Sequence, residues 1–139
     1  MTYDLSRLGW DEIFASAYRP MNRPDAAPGR VLRADRGVCT VLGAGGVVRA
    51  SLAGGVLLGA ARDPSRLPCA GDWVVLRHWP DRRTTVECVL PRRTALVRRT
   101  ADKDSTGQVL AANMDTVAVV EPMHPAPDDA RVERLLALA

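Results

Sequence analysis

Three arginine pairs are the groups best suited to chemistry: Arg82-Arg83, Arg92-Arg93 and Arg98-Arg99. A guanidinium is planar, permanently charged and forked, which matches the oxygens of a phosphate. The charge around these pairs is uneven. Residues 28–99 hold 13 Arg against 5 Asp or Glu, a balance of +8, whereas residues 100–139 balance at −4 and residues 1–27 at −1. Of the 19 basic residues 18 are Arg, the exception being Lys103. A basic middle of this kind fits a nucleic-acid backbone, or a solvated surface whose Arg excess follows GC-rich coding. The six arginines Arg82, Arg83, Arg92, Arg93, Arg98 and Arg99 are the candidate RNA-binding residues. The last two pairs flank a short run in which Leu96 and Val97 are free to pack inward. Contacts of this type supply affinity and placement, not base reading.

Other reactive groups are sparse. Trp73 and Trp79 lie six apart, so they share a face if their strand is regular. Either indole could serve as a platform for a base, but with so few other large aromatics at least one is expected in the core. His78 has no carboxylate or cysteine partner in pattern and reads as structural or exposed. Cys39, Cys69 and Cys88 are odd in number and widely spaced, unlike a disulfide framework or a C-x-x-C knuckle. They read as small buried hydrophobes. Gly43-Ala44-Gly45-Gly46 lacks the Lys and hydroxyl of a G-x-x-x-x-G-K-[ST] phosphate loop and is a turn. No catalytic, cofactor-binding or metal-ligating residue is expected among these residues.

Positioning the arginines requires a scaffold, and the pattern is mainly β. Residues 1–28 read as a flexible N-terminal arm, with Trp10 and Phe14 on one face of a short helical turn and Pro20, Pro24 and Pro28 breaking regular structure. The other reading is an arm that orders on RNA or on a neighbouring domain through Arg19 and Arg23. From Gly29, short period-two segments alternate with Gly-rich turns. G-R-V-L-R-A-D-R, V-C-T-V-L and V-V-R-A-S-L are three strands. Residues 53–70 are an irregular stretch whose G-V-L-L-G adds a short strand or turn. W-V-V-L-R-H-W and T-T-V-E-C-V-L are the fourth and fifth strands, turned by Pro80-Asp81-Arg82-Arg83. Five short strands with a longer connection between the third and fourth predict a five-stranded OB-fold barrel over 29–99, with an SH3-like barrel as rival. OB folds bind single-stranded or structured RNA across one face and its loops.

Residues 100–114 read as a linker. Asp115–Glu121, D-T-V-A-V-V-E, then predicts a buried strand, and Asp129–Ala139 predicts a helix. One strand and one helix bury no core, so 115–139 is expected to be the incomplete start of an α/β domain. Its helix should pack poorly or pair with a second copy. No apolar run reaches the 18 or so residues of a membrane span, and the N-terminus lacks a signal-peptide pattern. A cytoplasmic, reduced protein is expected.

Lys103–Glu121 resembles the join between the OB domain and the GTPase domain of the ribosome small-subunit-dependent GTPase A family, RsgA. The run Gln108-Val109-Leu110-Ala111-Ala112-Asn113-Met114-Asp115-Thr116-Val117 carries the likeness. G-R-V at 29–31, G-D-W-V at 71–74, L-P-R-R-T-A-L-V-R-R at 90–99 and R-V-E-R-L-L-A at 131–137 agree in order. The resemblance implies the N-terminal part of a circularly permuted GTPase that acts late in 30S subunit maturation, with the 30S subunit and 16S rRNA as partners. It also implies GTP with Mg and a structural Zn in the full-length protein. The Asn-Lys-x-Asp and phosphate-loop motifs of such a GTPase do not occur in these 139 residues, so no complete active site and no GTP binding are expected here. The alternative is a stand-alone OB module that binds RNA without catalysis.

Overall fold

A computed structural model describes residues 2–98, 107–124 and 126–139. Five strands, β1 (Ala26–Asp35), β2 (Val38–Gly43), β3 (Gly46–Leu52), β4 (Trp73–His78) and β5 (Thr84–Val89), close into a barrel in the order β1-β2-β3-β5-β4. The first strand pairs with two neighbours. Its first half lies antiparallel to β4, from Ala26↔Arg77 to Arg30↔Trp73, and its remainder runs against β2 from Gly29↔Gly43. β3 and β5 meet in parallel at Ser51↔Thr85 and Leu52↔Val86, and this seam closes the barrel. A first strand shared between the second and fourth, with the third parallel to the fifth, is the OB arrangement and not the SH3-like one.

Gly29 sits where β1 changes partner. A Cβ there would lie 2.5 Å from Val41 Cγ1, so only glycine lets the two strands approach. The interior is aliphatic: Val31, Val41, Ala50, Val74, Leu76 and Val86 are essentially inaccessible. β4 is buried on both faces, which explains its continuous apolar run. Val74 and Leu76 enter the barrel, while Trp73 and Val75 point to a second cluster outside it.

That second cluster corrects the reading of 1–28 as a flexible arm. A 3-10 turn at Leu5–Leu8 ends at Gly9, whose φ of 88° is left-handed. Helix α1 (Glu12–Tyr18) follows, with the Asp11 carboxylate accepting from the Ile13 and Phe14 amides. Phe14 is buried against Trp73, and Trp10 stands edge-on to Trp73 with ring centroids 4.7 Å apart. The prolines do not keep this region apart, because its aromatic face covers the outer side of β4.

Three other expectations are corrected. Residues 54–62 are helix α2 (Gly54–Arg62), not a strand or turn. Two leading glycines weaken its helix signal, but Val56 packs into the barrel core and tertiary burial decides. The expected linker contains a strand: β7 (Gln108–Ala112) pairs antiparallel with β6 (Ala95–Arg98). This ribbon joins the barrel through a bridge between Ala70 and Ala111. Asp115–Glu121 is not a buried strand. It pairs with no strand among the described residues, and most of it is exposed, Val120 at 85%. An apolar run becomes a strand only where a neighbour completes its hydrogen bonds. The terminal helix does form, as α3 (Asp129–Leu138), with Asp128 accepting from the Arg131 amide. None of its residues is buried.

Candidate nucleic-acid interface

The β4–β5 hairpin presents one arginine pair to solvent. Its turn is fixed by the backbone: the Trp79 amide donates to the Arg83 carbonyl at 2.9 Å, and the Arg82 amide donates to the Trp79 carbonyl at 3.0 Å. Arg82 sits at the tip with a left-handed φ of 68°, exposed and in no ion pair among the described residues. Arg83 is tied down by Asp81, whose carboxylate accepts from the Arg83 amide at 3.1 Å and from its Nε at 2.6 Å. The side-chain bond from Arg83 is the largest cause holding the Asp81 carboxyl below its usual range.

Trp79 lies at the base of this turn, half-buried. Its indole N–H donates to Thr85 Oγ1 at 2.9 Å, and the Thr85 hydroxyl donates onward to Glu87. The Arg77 guanidinium lies 3.8 Å from the centre of the indole, and Arg83 lies at 5.5 Å. Arg77 also donates to Asp25 at 2.7 Å. Trp73, the other indole considered as a platform, is wholly inside. The two differ in burial: Trp73 is covered by the N-terminal cluster, whereas Trp79 lies one residue beyond the end of β4 and is only half-buried. His78 is exposed, with its ring near Thr84.

The second pair behaves differently. Arg92 is turned inward to Asp72, a carboxylate with no solvent exposure. Arg92 Nε donates to Asp72 Oδ1 at 2.7 Å and Nη2 to Oδ2 at 2.8 Å. Its remaining donors reach the Ser65 carbonyl at 2.6 Å and the Leu67 carbonyl at 2.8 Å. Asp72 also accepts from the Cys69 amide at 2.8 Å. The hydrogen bond to Asp72 is the main reason that the Arg92 guanidinium holds its proton more tightly than usual. Every face of the Arg92 fork is engaged, so the structure places it as a scaffold group. Arg93 is exposed, pairs with Asp11 at 2.6 Å and lies over the Phe14 ring at 5.0 Å. Arg98 is exposed and donates to Gln108 at 3.2 Å. Arg99 lies outside the described residues.

Arg30 and Asn113 are structural residues that the sequence did not single out. Asn113, nearly buried at a left-handed φ of 55°, accepts from the Arg93 amide at 2.8 Å and donates to the Gly71 carbonyl at 3.1 Å. Arg30 donates to the Asn113 carbonyl at 2.8 Å and to the Leu8 carbonyl, with its guanidinium over Trp73. Gly71 lies so close to Ala112 that a Cβ would fall 2.0 Å from its carbonyl oxygen. The sequence pieces at 29–31, 71–74, 90–94 and 111–113 therefore meet at one junction. Only their order in the chain was visible beforehand.

The cysteines are held as thiols. Burial, with Asp72 adding to it, pushes Cys69 up to about 12 and Cys39 up to about 11. Among the described residues no helix is long and apolar enough to cross a membrane.

No family model matches the chain. Individual relatives do. A small ribosomal subunit biogenesis GTPase RsgA of Streptomyces coelicolor is 46% identical over 135 residues, 97% of this chain and 36% of that protein. Proteins of the same name from Opitutus terrae and Syntrophotalea carbinolica are 37% and 35% identical, each over 97% of this chain and 39% and 38% of their own lengths. The chain thus spans somewhat over a third of the length of these relatives. By sequence, and consistently with its OB barrel, the chain is similar over nearly its whole length to proteins named small ribosomal subunit biogenesis GTPase RsgA.

Proposed function

We propose that these residues form the rRNA-facing OB part of a GTPase of small-subunit biogenesis, seating that protein on the 30S subunit in the cytoplasm late in maturation. One observation carries the reading: a closed OB barrel lies within a chain that is similar, over nearly its whole length, to relatives named small ribosomal subunit biogenesis GTPase. The contact surface is the β4–β5 hairpin with Arg82 and Arg83, extended by Arg93, Arg98 and Arg99 toward 16S rRNA. Arg92 is set aside, since its donors are already satisfied. GTP with magnesium, and a structural zinc, belong to the rest of such a protein. The 139 residues contain no G-x-x-x-x-G-K-[ST] and no Asn-Lys-x-Asp to hold a nucleotide.

Filter binding of 30S subunits at several salt concentrations tests the surface. Replacing Arg82 and Arg83 with Ala should weaken binding and reduce the slope of log affinity against log salt by about one unit per lost phosphate contact. Unchanged binding across the series would remove the hairpin from the interface. Calorimetry with GTP and magnesium tests the division of labour: micromolar binding by this chain would overturn it.

A further inference from the structure

We infer that the base of the β4–β5 hairpin is a stacking site for one unpaired nucleobase, with Trp79 and the Arg77 guanidinium lying on it as the platform; this rests on the RNA-binding reading above. Trp73 is fully buried and Trp10 is packed among Phe14, Tyr18 and Trp73, so both face the protein. Trp79 instead borders a cleft of about 590 Å³ walled by Pro24, Asp25, Arg77, His78 and Pro80. Its indole is fixed by Thr85, and its backbone is bonded to both Arg82 and Arg83. A platform ordered before binding loses little freedom when a ligand stacks on it.

The charges around the cleft select the ligand class. Arg77 is matched by Asp25 and Arg83 by Asp81, which leaves Arg82 as the hairpin cation outside the described ion pairs. A duplex offers this site phosphates alone, and two of its three arginines already hold carboxylates. A single strand offers a phosphate to Arg82 and a π-face to the Trp79–Arg77 stack. The geometry therefore favours single-stranded RNA, without preference for base identity, because every base has a stacking face.

The test uses the full chain with two labelled probes, a short A-rich single-stranded RNA and an RNA duplex carrying the same number of phosphates. The single strand should quench tryptophan emission and the duplex should not. Trp79→Leu should weaken single-strand binding roughly 5- to 100-fold while leaving duplex binding and the salt slope unchanged. Trp79→Tyr should restore most of the loss. Thermal melting of each variant shows that the fold is kept, and quenching in the unaltered chain stands independently of any substitution. Equal loss for both probes, or single-strand binding that ignores Trp79→Leu, overturns the stacking site and leaves RNA binding standing. Binding of neither probe by the unaltered chain overturns the RNA-binding reading and the stacking site together.

Discussion

Arg82 and Arg92 each open an Arg-Arg pair next to β5, one before it and one after. The first ends in a solvated turn, where Asp81 is its exposed neighbour. The second points at Asp72, which has no contact with water. A guanidinium beside a buried carboxylate is held by that carboxylate's need for a partner, since an unpaired charge in the interior is costly. A guanidinium at a hairpin tip meets no such demand and stays available to an outside anion. The location of the acid, not the arginine, assigns the two roles.

The contrast is sharpest when Arg92 is removed. Arg92→Ala strands the Asp72 charge and two backbone carbonyls, and should cost about 3–5 kcal/mol of stability. Urea or thermal unfolding measures it, and a loss under 1 kcal/mol would put Arg92 back among the surface groups. Arg82→Gly should act in the opposite direction. The left-handed backbone at Arg82 carries a penalty for any side chain, so glycine there should stabilise by about 1 kcal/mol while removing a cation from the RNA-binding surface. A destabilised Arg82→Gly variant would mean that the side chain supports the fold. Arg93 lies between these extremes. Its half-exposed pair with Asp11 should show a coupling of about 0.5 kcal/mol in a double-mutant cycle with Asp11→Ala, and a coupling several times larger would make it a second Arg92.

The smallest effect concerns acid. The Asp81 carboxyl is held below the usual carboxylate range in the folded chain, so its contact with Arg83 contributes above the unfolded value and is lost as pH falls through the folded value. The turn should keep its anchor at neutral pH and release it only in acid. Nuclear magnetic resonance of the Asp81 carboxyl and the Arg83 Nε–H follows the release, and a midpoint at or above that of a free aspartate would refute the anchor. The pair is solvent-exposed, so global stability should hardly register the change.

The barrel was readable because its strands combine period-two patterning with glycine turns, and these are local signals. Val38–Gly43, Gly46–Leu52, Trp73–His78 and Thr84–Val89 needed nothing else. What escaped depends on distant partners. Helix α2 has glycines at its start and is settled by Val56 entering a core made by other segments. The N-terminal cap exists because Trp73 faces outward, which no local pattern in 1–28 discloses. Asp115–Glu121 looked like a strand on composition, yet strand formation requires a neighbour. The site follows the same rule. Arginine type and spacing were visible, but Asp72 stands in sequence only as part of the G-D-W-V that opens the fourth strand, and only the fold brings it against Arg92. Trp73 and Trp79 were interchangeable until the N-terminal segment covered the first and left the second half-exposed.

The hydrogen bond from Arg30 to Asn113 spans 83 residues of chain. Loop closure over such a distance is slow, because chain entropy is lost before any contact rewards it. Synthesis runs from the N-terminus, so Trp10 and Phe14 leave the translating ribosome well before Trp73, the ring that covers them, and longer still before Asn113. During that interval the aromatic cap has nothing to sit on. The aromatic surface of Trp10 and Phe14 is therefore made before the ring that covers it, and its covering is completed only when Asn113 reaches Arg30.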